Sequence, residues 1–276
     1  MRVVSLVCAV LAVLAFAGTA AAAGSLVLDG ETVQGSLVLG RTDPGTSVVF
    51  DGRKLRVTPE GYFLIGFTRD ADATAALELR YADGSTRTET LAVRKRQFKI
   101  QRIDGLPPRM VTPPKEVLER IKRESRLIKA ARDRDTPDPY FLKGWIWPAK
   151  GRISGVYGSQ RILNGKPRQP HFGVDVAAPV GTPVIAPSDG VVTLVEKDLY
   201  YTGGTIIMDH GHGLSSAFLH MQDVTVKKGQ RVRQGEKIGT IGKTGRATGA
   251  HLDWRINLFD ARIDPALLVP PMDGAQ

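Results

Sequence analysis

The chain has 276 residues, a formal net charge of +10 and 24% charged residues, a length sufficient for two modest domains. Its one cysteine, Cys8, lies in an N-terminal apolar run, so a processed chain would contain no disulfide and would depend on packed cores. The positive charge favours contact with anionic envelope polymers. Nucleic acid is not a predicted partner, because no recognition motif accompanies the charge.

The N-terminus has the features of a secretory signal. Arg2 precedes an apolar run over residues 3–16, and four alanines follow at residues 20–23. A positive charge, a short apolar segment and small residues predict a signal peptide over residues 1–23. The run is too short to favour the alternative, a membrane anchor, so no stable membrane span is expected after cleavage.

Residues 24–103 are predicted to form a small β-sandwich. Short apolar segments alternate there with Asp-Gly and Pro-Gly turns. Leu77, Leu79 and Tyr81 alternate with charged residues before Asp83-Gly84, and this pattern predicts a hairpin with the strand that begins at Thr86. The region contains no histidine, so we interpret it as a spacer or docking module, with direct substrate binding as the alternative.

Residues 104–142 are predicted to form a linker with one amphipathic helix. Prolines interrupt its start, and apolar residues then recur near helical spacing between Glu116 and about Arg132. A helix of this kind usually packs on a neighbouring domain. Residues 143–276 return to short Val- and Ile-rich segments separated by glycine and proline, a pattern typical of an all-β domain.

All five histidines lie in this last region, and two of them are spaced to share a site with a carboxylate. His171 and Asp175 are four residues apart, and His251 and Asp253 are two apart. Side chains at i, i+2 and i+4 of a strand point to one face. A helix would also bring positions i and i+4 together, but the prolines and glycine at residues 170, 173 and 179 favour a strand at the first pair. With both segments as strands, the two pairs can face each other and hold a divalent metal. From His251 onward the odd positions are polar and the even positions apolar, which predicts a strand with its apolar face in the core.

The combined pattern resembles the lysostaphin/LytM-like zinc metalloendopeptidases of bacterial peptidoglycan. It comprises His171-x-x-x-Asp175, a lone His220, and His251-x-Asp253 where the family usually has His-x-His. The resemblance extends from about Trp145 to Pro265. It implies a mainly β chain whose C-terminal all-β peptidase domain is of the duplicated hybrid motif type.

The resemblance also implies roles for individual residues. His171, Asp175 and Asp253 would bind one catalytic Zn²⁺, and His220 and His251 would be the catalytic acid–base pair, without a decision on which is the base. Asp253 leaves two outcomes open. It can bind the metal, in a harder site that also accepts Mn²⁺ or Fe²⁺. Alternatively, it lies beside the ligands without binding the metal, or the site is inactive.

The two remaining histidines, His210 and His212, resemble a His-Gly-x-Gly turn of the same family. We therefore expect them to have turn and hydrogen-bonding roles.

The implied function is hydrolysis of peptide cross-links between peptidoglycan stem peptides, by an exported and most simply periplasmic enzyme. The alternative is an inactive relative that binds peptidoglycan or activates another hydrolase. The sequence leaves open whether the N-terminal domain or the helix blocks the cleft until a regulatory protein partner releases it.

Overall fold

The computed structural model describes residues 24–104, 115–163 and 165–272. The predicted signal peptide, residues 1–23, and the proline-rich start of the linker lie outside these ranges. Within them, no helix is both long enough and apolar enough to cross a membrane.

Two sheets form the N-terminal region. Three strands pair in the order β1-β2-β5 and four in the order β4-β3-β6-β7. Val38 and Phe63 of the first sheet share a core with Leu77 and Leu79 of the second. The predicted hairpin is confirmed as the antiparallel pair β6–β7; the sandwich as a fold type stays a prediction. The strands are β1 (Leu26–Asp29), β2 (Leu37–Thr42), β3 (Ser47–Phe50), β4 (Arg53–Leu55), β5 (Tyr62–Gly66), β6 (Thr74–Arg80) and β7 (Thr86–Ala92).

The predicted helix is confirmed. A 3₁₀ turn at Lys115–Val117 leads into α1 (Leu118–Arg132), and a second 3₁₀ turn follows at Tyr140–Lys143. Ile128 and Ala131 of α1 pack against a buried cluster of aliphatic residues from the C-terminal sheet. The helix therefore lies on that sheet, and apolar contacts hold it there.

The C-terminal region is built on one large sheet, in which seven strands follow the order β17-β14-β15-β16-β19-β12-β9 and three others join at the side. A separate small sheet pairs β10 with β11 and, in parallel, with β8. The strands are β8 (Ile100–Ile103), β9 (Arg152–Gly155), β10 (Gln160–Leu163), β11 (Lys166–Pro167), β12 (Val174–Ala177), β13 (Pro183–Ile185), β14 (Gly190–Leu199), β15 (Gly203–Gly211), β16 (Leu214–Val224), β17 (Arg231–Val232), β18 (Lys237–Ile241), β19 (His251–Leu258) and β20 (Ala261–Ile263), before a 3₁₀ turn at Pro265–Leu267.

The chain is thus mainly β, as predicted. The domain boundary at residue 103 stays a prediction. Strand β8 ends the predicted N-terminal domain, but it pairs with β10 of the C-terminal region. The end of the predicted linker also joins the C-terminal region, since Phe141 is buried in its main core.

The two faces of the large sheet have different surroundings. Leu252, Trp254 and Ile256 of β19 are fully buried in the main core, which confirms the predicted alternation. The intervening residues face the other side. Asp253 pairs there with Leu219, a residue of the cluster that α1 covers. Helix α1 therefore lies on the same face of the sheet as Asp253.

Candidate functional site

Two carboxylates face each other across adjacent strands. Strand β12 pairs antiparallel with β19, and the register sets Asp175 directly opposite Asp253 and Ala177 opposite His251. Directly opposed like charges destabilise a sheet pair. The arrangement therefore requires positive charge nearby, from side chains or from a cation.

His171 does not lie on the predicted strand. Strand β12 begins only at Val174, and His171 precedes it in an irregular segment, so the prediction of strand through His171 is wrong. The backbone N–H of His171 donates to Ser159 and its carbonyl accepts from Gly158, bonds that hold the residue against a neighbouring loop. The ring nevertheless reaches Asp175, with 3.2 Å between Nε2 and Oδ1.

Two glycines leave the space that the carboxylates occupy. Gly155 lies opposite Asp175 in strand β9, and a Cβ there would overlap the Asp175 carboxylate. A Cβ at Gly173 would overlap the carboxylate of Asp253. Both positions thus exclude side chains so that the acidic groups can approach each other.

The atoms of this group fit a metal ion. His171 Nε2 and Asp175 Oδ1 are buried, and apart from their 3.2 Å contact with each other neither bonds to another described residue. With a carboxylate oxygen of Asp253 they form a group of three ligand atoms within 4.8 Å of one another. Burial opposes a positive charge on His171, but the Asp175 and Asp253 carboxylates outweigh it and raise the pKa of this ring. The site favours a cation.

Asp253 is also bound by an arginine. Arg255 Nε donates to both Asp253 oxygens at 3.0 and 3.1 Å, and its Nη2 donates to Oδ2 at 2.5 Å. Burial alone would raise the pKa of the Asp253 carboxyl, but Arg255 lowers it below its ordinary value. Asp253 is therefore ionised and held in place. An ionised carboxylate still has lone pairs free for a metal, since it has about four lone-pair sites.

His220 has an unusual backbone conformation. Its φ is 64° although it is not glycine, and it interrupts β16 where the strand stops pairing with β19 and begins to pair with β18. Such a conformation costs on the order of 1–3 kcal/mol and concentrates at functional sites. The bend directs His220 towards His251, with the ring centroids 4.7 Å apart.

The hydrogen bonds of these two rings define their tautomers. His220 Nδ1 lies 2.8 Å from the carbonyl oxygen of Thr244, and His251 Nδ1 lies 2.9 Å from that of Gly249. A carbonyl oxygen can only accept, so each ring donates from Nδ1, and in the neutral form of the ring the lone pair is on Nε2. His251 Nε2 is 3.9 Å from Asp175 Oδ1. Burial lowers the pKa of His220, which favours its neutral form.

The other two histidines have structural partners. His210 donates from Nδ1 to the Asp189 carbonyl at 2.6 Å and its Nε2 accepts from the Ser216 hydroxyl at 2.7 Å. His212 occupies the turn between β15 and β16 with φ 52°, and its Nε2 lies 3.3 Å from the Pro137 carbonyl oxygen. The predicted hydrogen-bonding roles are confirmed for both histidines. The predicted turn role is confirmed for His212 but is wrong for His210, which lies within strand β15.

Sequence reasoning missed two residues that hold the site. Arg255 lies on the same face of β19 as Asp253, and an arginine two residues after an acidic strand residue is the signal that could have revealed the ion pair. Thr244 accepts from His220 through its carbonyl, while its hydroxyl donates to Met221 and accepts from Gly204. No local sequence pattern indicates these contacts of Thr244, because they join segments that are far apart in the chain.

Residues 169–265 match the model of peptidase family M23. A crystal structure of a Pseudomonas aeruginosa protein assigned to the M23 peptidases is 30% identical in sequence and has a TM-score of 0.67, covering 87% of this chain and 95% of that one. Peptidoglycan DD-endopeptidase ShyA of Vibrio cholerae is 38% identical over 136 residues, which are 46% of this chain and 31% of ShyA. Peptidoglycan DD-endopeptidase ShyC of the same organism is 46% identical over 107 residues, 37% of this chain and 24% of ShyC.

The chain spans less than a third of the length of either Vibrio relative. The similarity to the Pseudomonas structure, in contrast, includes almost the whole of that protein and most of this one. With the matched segment containing His171, Asp175, His220, His251 and Asp253, the chain belongs to peptidase family M23.

Proposed function

We propose that this protein is a zinc-dependent endopeptidase that hydrolyses peptide cross-links of bacterial peptidoglycan. The observation that carries the proposal is the buried pair His171 Nε2 and Asp175 Oδ1, which lie 3.2 Å apart beside the Asp253 carboxylate and bond to no other described residue. Two histidines whose Nδ1 atoms donate to backbone carbonyls lie next to this group. The proposed metal ligands and proton-transfer groups are therefore close to one another.

His171, Asp175 and Asp253 would hold the ion. One imidazole and two carboxylates form a set of three protein ligands, the number typical of catalytic zinc. Because two of the three donors are hard oxygens, Mn²⁺ or Fe²⁺ would also be accepted. A divalent ion bound there supplies Lewis-acid polarisation of a peptide carbonyl and lowers the pKa of a water molecule.

His220 and His251 would be the acid–base pair. Each ring is oriented by a backbone carbonyl at Nδ1, so Nε2 is the atom that can take a proton from an attacking water. The lowered pKa of His220 keeps that lone pair available at neutral pH. A ring protonated in this way can then donate to the leaving amine.

The substrate class follows from the relatives. ShyA and ShyC are peptidoglycan DD-endopeptidases by name, and we infer the same polymer as the substrate here. With the predicted signal peptide, this implies an exported protein that acts in the periplasm. The regulatory protein partner considered from the sequence stays a prediction.

The alternative, an inactive binder or activator, is less favoured by the geometry. An inactive relative has no need for a strained histidine or for two free imidazole nitrogens beside a metal-ligand group. Here the φ of 64° at His220 and its contact with Thr244 are both retained.

Digestion of purified peptidoglycan by the mature protein tests the proposal. We expect cross-linked fragments to be converted to monomers identified by mass, no conversion after treatment with a chelator, and recovery when Zn²⁺ is added back. Intact cross-links in the zinc-loaded sample would contradict the proposal.

A further inference from the structure

A cavity of about 460 Å³ lies between the C-terminal end of α1 and the face of the sheet that bears Asp253. We call it the arginine cavity. Five cationic side chains and two carboxylates line it, among other residues. The cations are Arg53, Lys129, Arg132, Arg255 and Arg262, and the carboxylates are Asp133 and Asp260.

Two of the half-buried cations have no carboxylate partner among the described residues. Arg132 has no ion pair or hydrogen bond among the described residues, and its Nε is buried without a partner. Arg262 donates only to the Asn257 side-chain oxygen at 3.1 Å and lies 5.6 Å from the centre of the Phe172 ring. Arg255, in contrast, is neutralised by Asp253.

The positively charged side chains of the cavity repel one another. Burial and the neighbouring charges of Arg262 and Arg255 lower the pKa of Arg132 to about 9. Burial and the charge of Arg255 also lower the pKa of Arg262. An anion bound between these guanidinium groups would reduce the repulsion between them and would accept the hydrogen bonds that they do not make within the protein.

Two contacts and one sequence neighbour join the cavity to the candidate functional site. Arg255 lines the cavity and binds Asp253. Thr202 lines it and accepts from the backbone N–H of His220. Gln169 lines it two residues before His171. A group bound in the cavity therefore lies beside the candidate reaction centre.

The chemistry of the walls favours a carboxylate. Guanidinium groups present parallel donors that match a carboxylate, and the volume falls in the range of small-ligand sites. We propose that the arginine cavity binds a free carboxylate of the peptide substrate through Arg132 and Arg262. The inference rests on the proposed function and specifies its substrate as a cross-linked peptide with an acidic group near the scissile bond. It also makes α1 a wall of the substrate site.

Binding to the metal-free full chain tests this, because no hydrolysis is required. The ligands are cross-linked peptide dimers isolated from peptidoglycan, with their carboxylates either free or converted to methylamides, and calorimetry gives Kd. We expect methylamidation to weaken binding by roughly tenfold to a hundredfold, the value of a lost charge-assisted pair. Arg132→Gln should weaken binding of the free dimers to the same extent as methylamidation does. The same substitution should change the Kd of the methylamidated dimers less than twofold.

Arg123→Gln is the matched control, since Arg123 is an exposed arginine of the same helix and should leave both ligands unaffected. If Arg132→Gln does not fold by circular dichroism, Arg262→Gln replaces it with the same expectation. Equal affinity for free and methylamidated dimers, no binding of either, or saturation by inorganic phosphate without preference for free dimers overturns the inference. Loss of cleavage with carboxylate-dependent binding intact would instead contradict the proposed function alone.

Discussion

The N-terminal two-sheet region and the C-terminal sheet bury different kinds of side chain. Among the described residues, the buried polar groups of the N-terminal region are neutral: Gln34, Ser36, Thr42, Thr46 and Thr58. The buried acidic side chains and histidines among the described residues all lie in helix α1 or after it: Glu124, Asp209, His210, His212, His220, Asp253 and Asp264. Burial of an ionisable group is costly unless it is paired or bound. We expect catalysis in the region that buries these ionisable groups. Substitutions in the N-terminal region should therefore change stability, and substitutions in the C-terminal region should change activity.

Removal of a metal ligand should have the largest effect on activity. We expect His171→Ala and Asp253→Ala to lose bound Zn²⁺ to a similar extent and to lower peptidoglycan cleavage by roughly three or more orders of magnitude. Metal content per chain by mass spectrometry measures the first effect. Asn257→Ala, a change on the same face of β19, is the control and should keep one equivalent. Full zinc occupancy in Asp253→Ala would exclude this carboxylate as a ligand.

Removal of a proton-transfer group should separate binding of metal from catalysis. His220→Ala should retain Zn²⁺ and lower kcat by roughly two to four orders of magnitude, because the ring supplies acid–base catalysis and no metal ligand. Steady-state assays on peptide dimers, with metal content measured in parallel, test this. An unchanged kcat would mean that another group moves the proton.

A core substitution in the N-terminal region should show the reverse behaviour. Leu77 is fully buried between the two sheets, and Leu77→Ala should lower the free energy of unfolding by about 2–5 kcal/mol. Zinc occupancy at a temperature where the variant is folded should not change. Denaturant unfolding and metal analysis provide the two readings. Loss of metal from the folded variant would show that the two regions are coupled.

The buried His210 should make stability depend on pH. Burial lowers its pKa from 6.5 to about 4, so between these values the unfolded chain binds a proton that the folded chain does not. Stability from this residue is complete above about pH 6.5 and should fall by about 3 kcal/mol as the pH approaches 4. Comparing unfolding free energies of the wild type and His210→Gln from pH 7 to 4 isolates this contribution. Identical pH slopes would contradict the assignment.

Local pattern was enough for much of the fold. The period of α1 and the alternation of β19 are properties of neighbouring residues, and both appear as predicted. The predicted strand at His171 is wrong, because contacts with a separate loop at Ser159 and Gly158 hold this segment in an irregular conformation. Strand propensity does not reveal such contacts.

The arrangement of the candidate site depends more on long-range geometry than the individual helices and strands do. The spacing of the histidines and carboxylates identified the residues, but the register that sets Asp175 opposite Asp253 is a property of the folded sheet. The left-handed backbone of His220 and the approach of Arg132 to a cavity shared with Arg255 likewise join residues far apart in the sequence.

The most direct test of the account is anomalous diffraction at the zinc edge from crystals of the zinc-loaded protein. We expect one peak at about 2.0–2.2 Å from His171 Nε2 and from oxygens of both Asp175 and Asp253, the usual lengths of zinc bonds to imidazole and carboxylate. A peak bound to His171 and Asp175 but beyond bonding distance of Asp253, or no peak at this site, would contradict it.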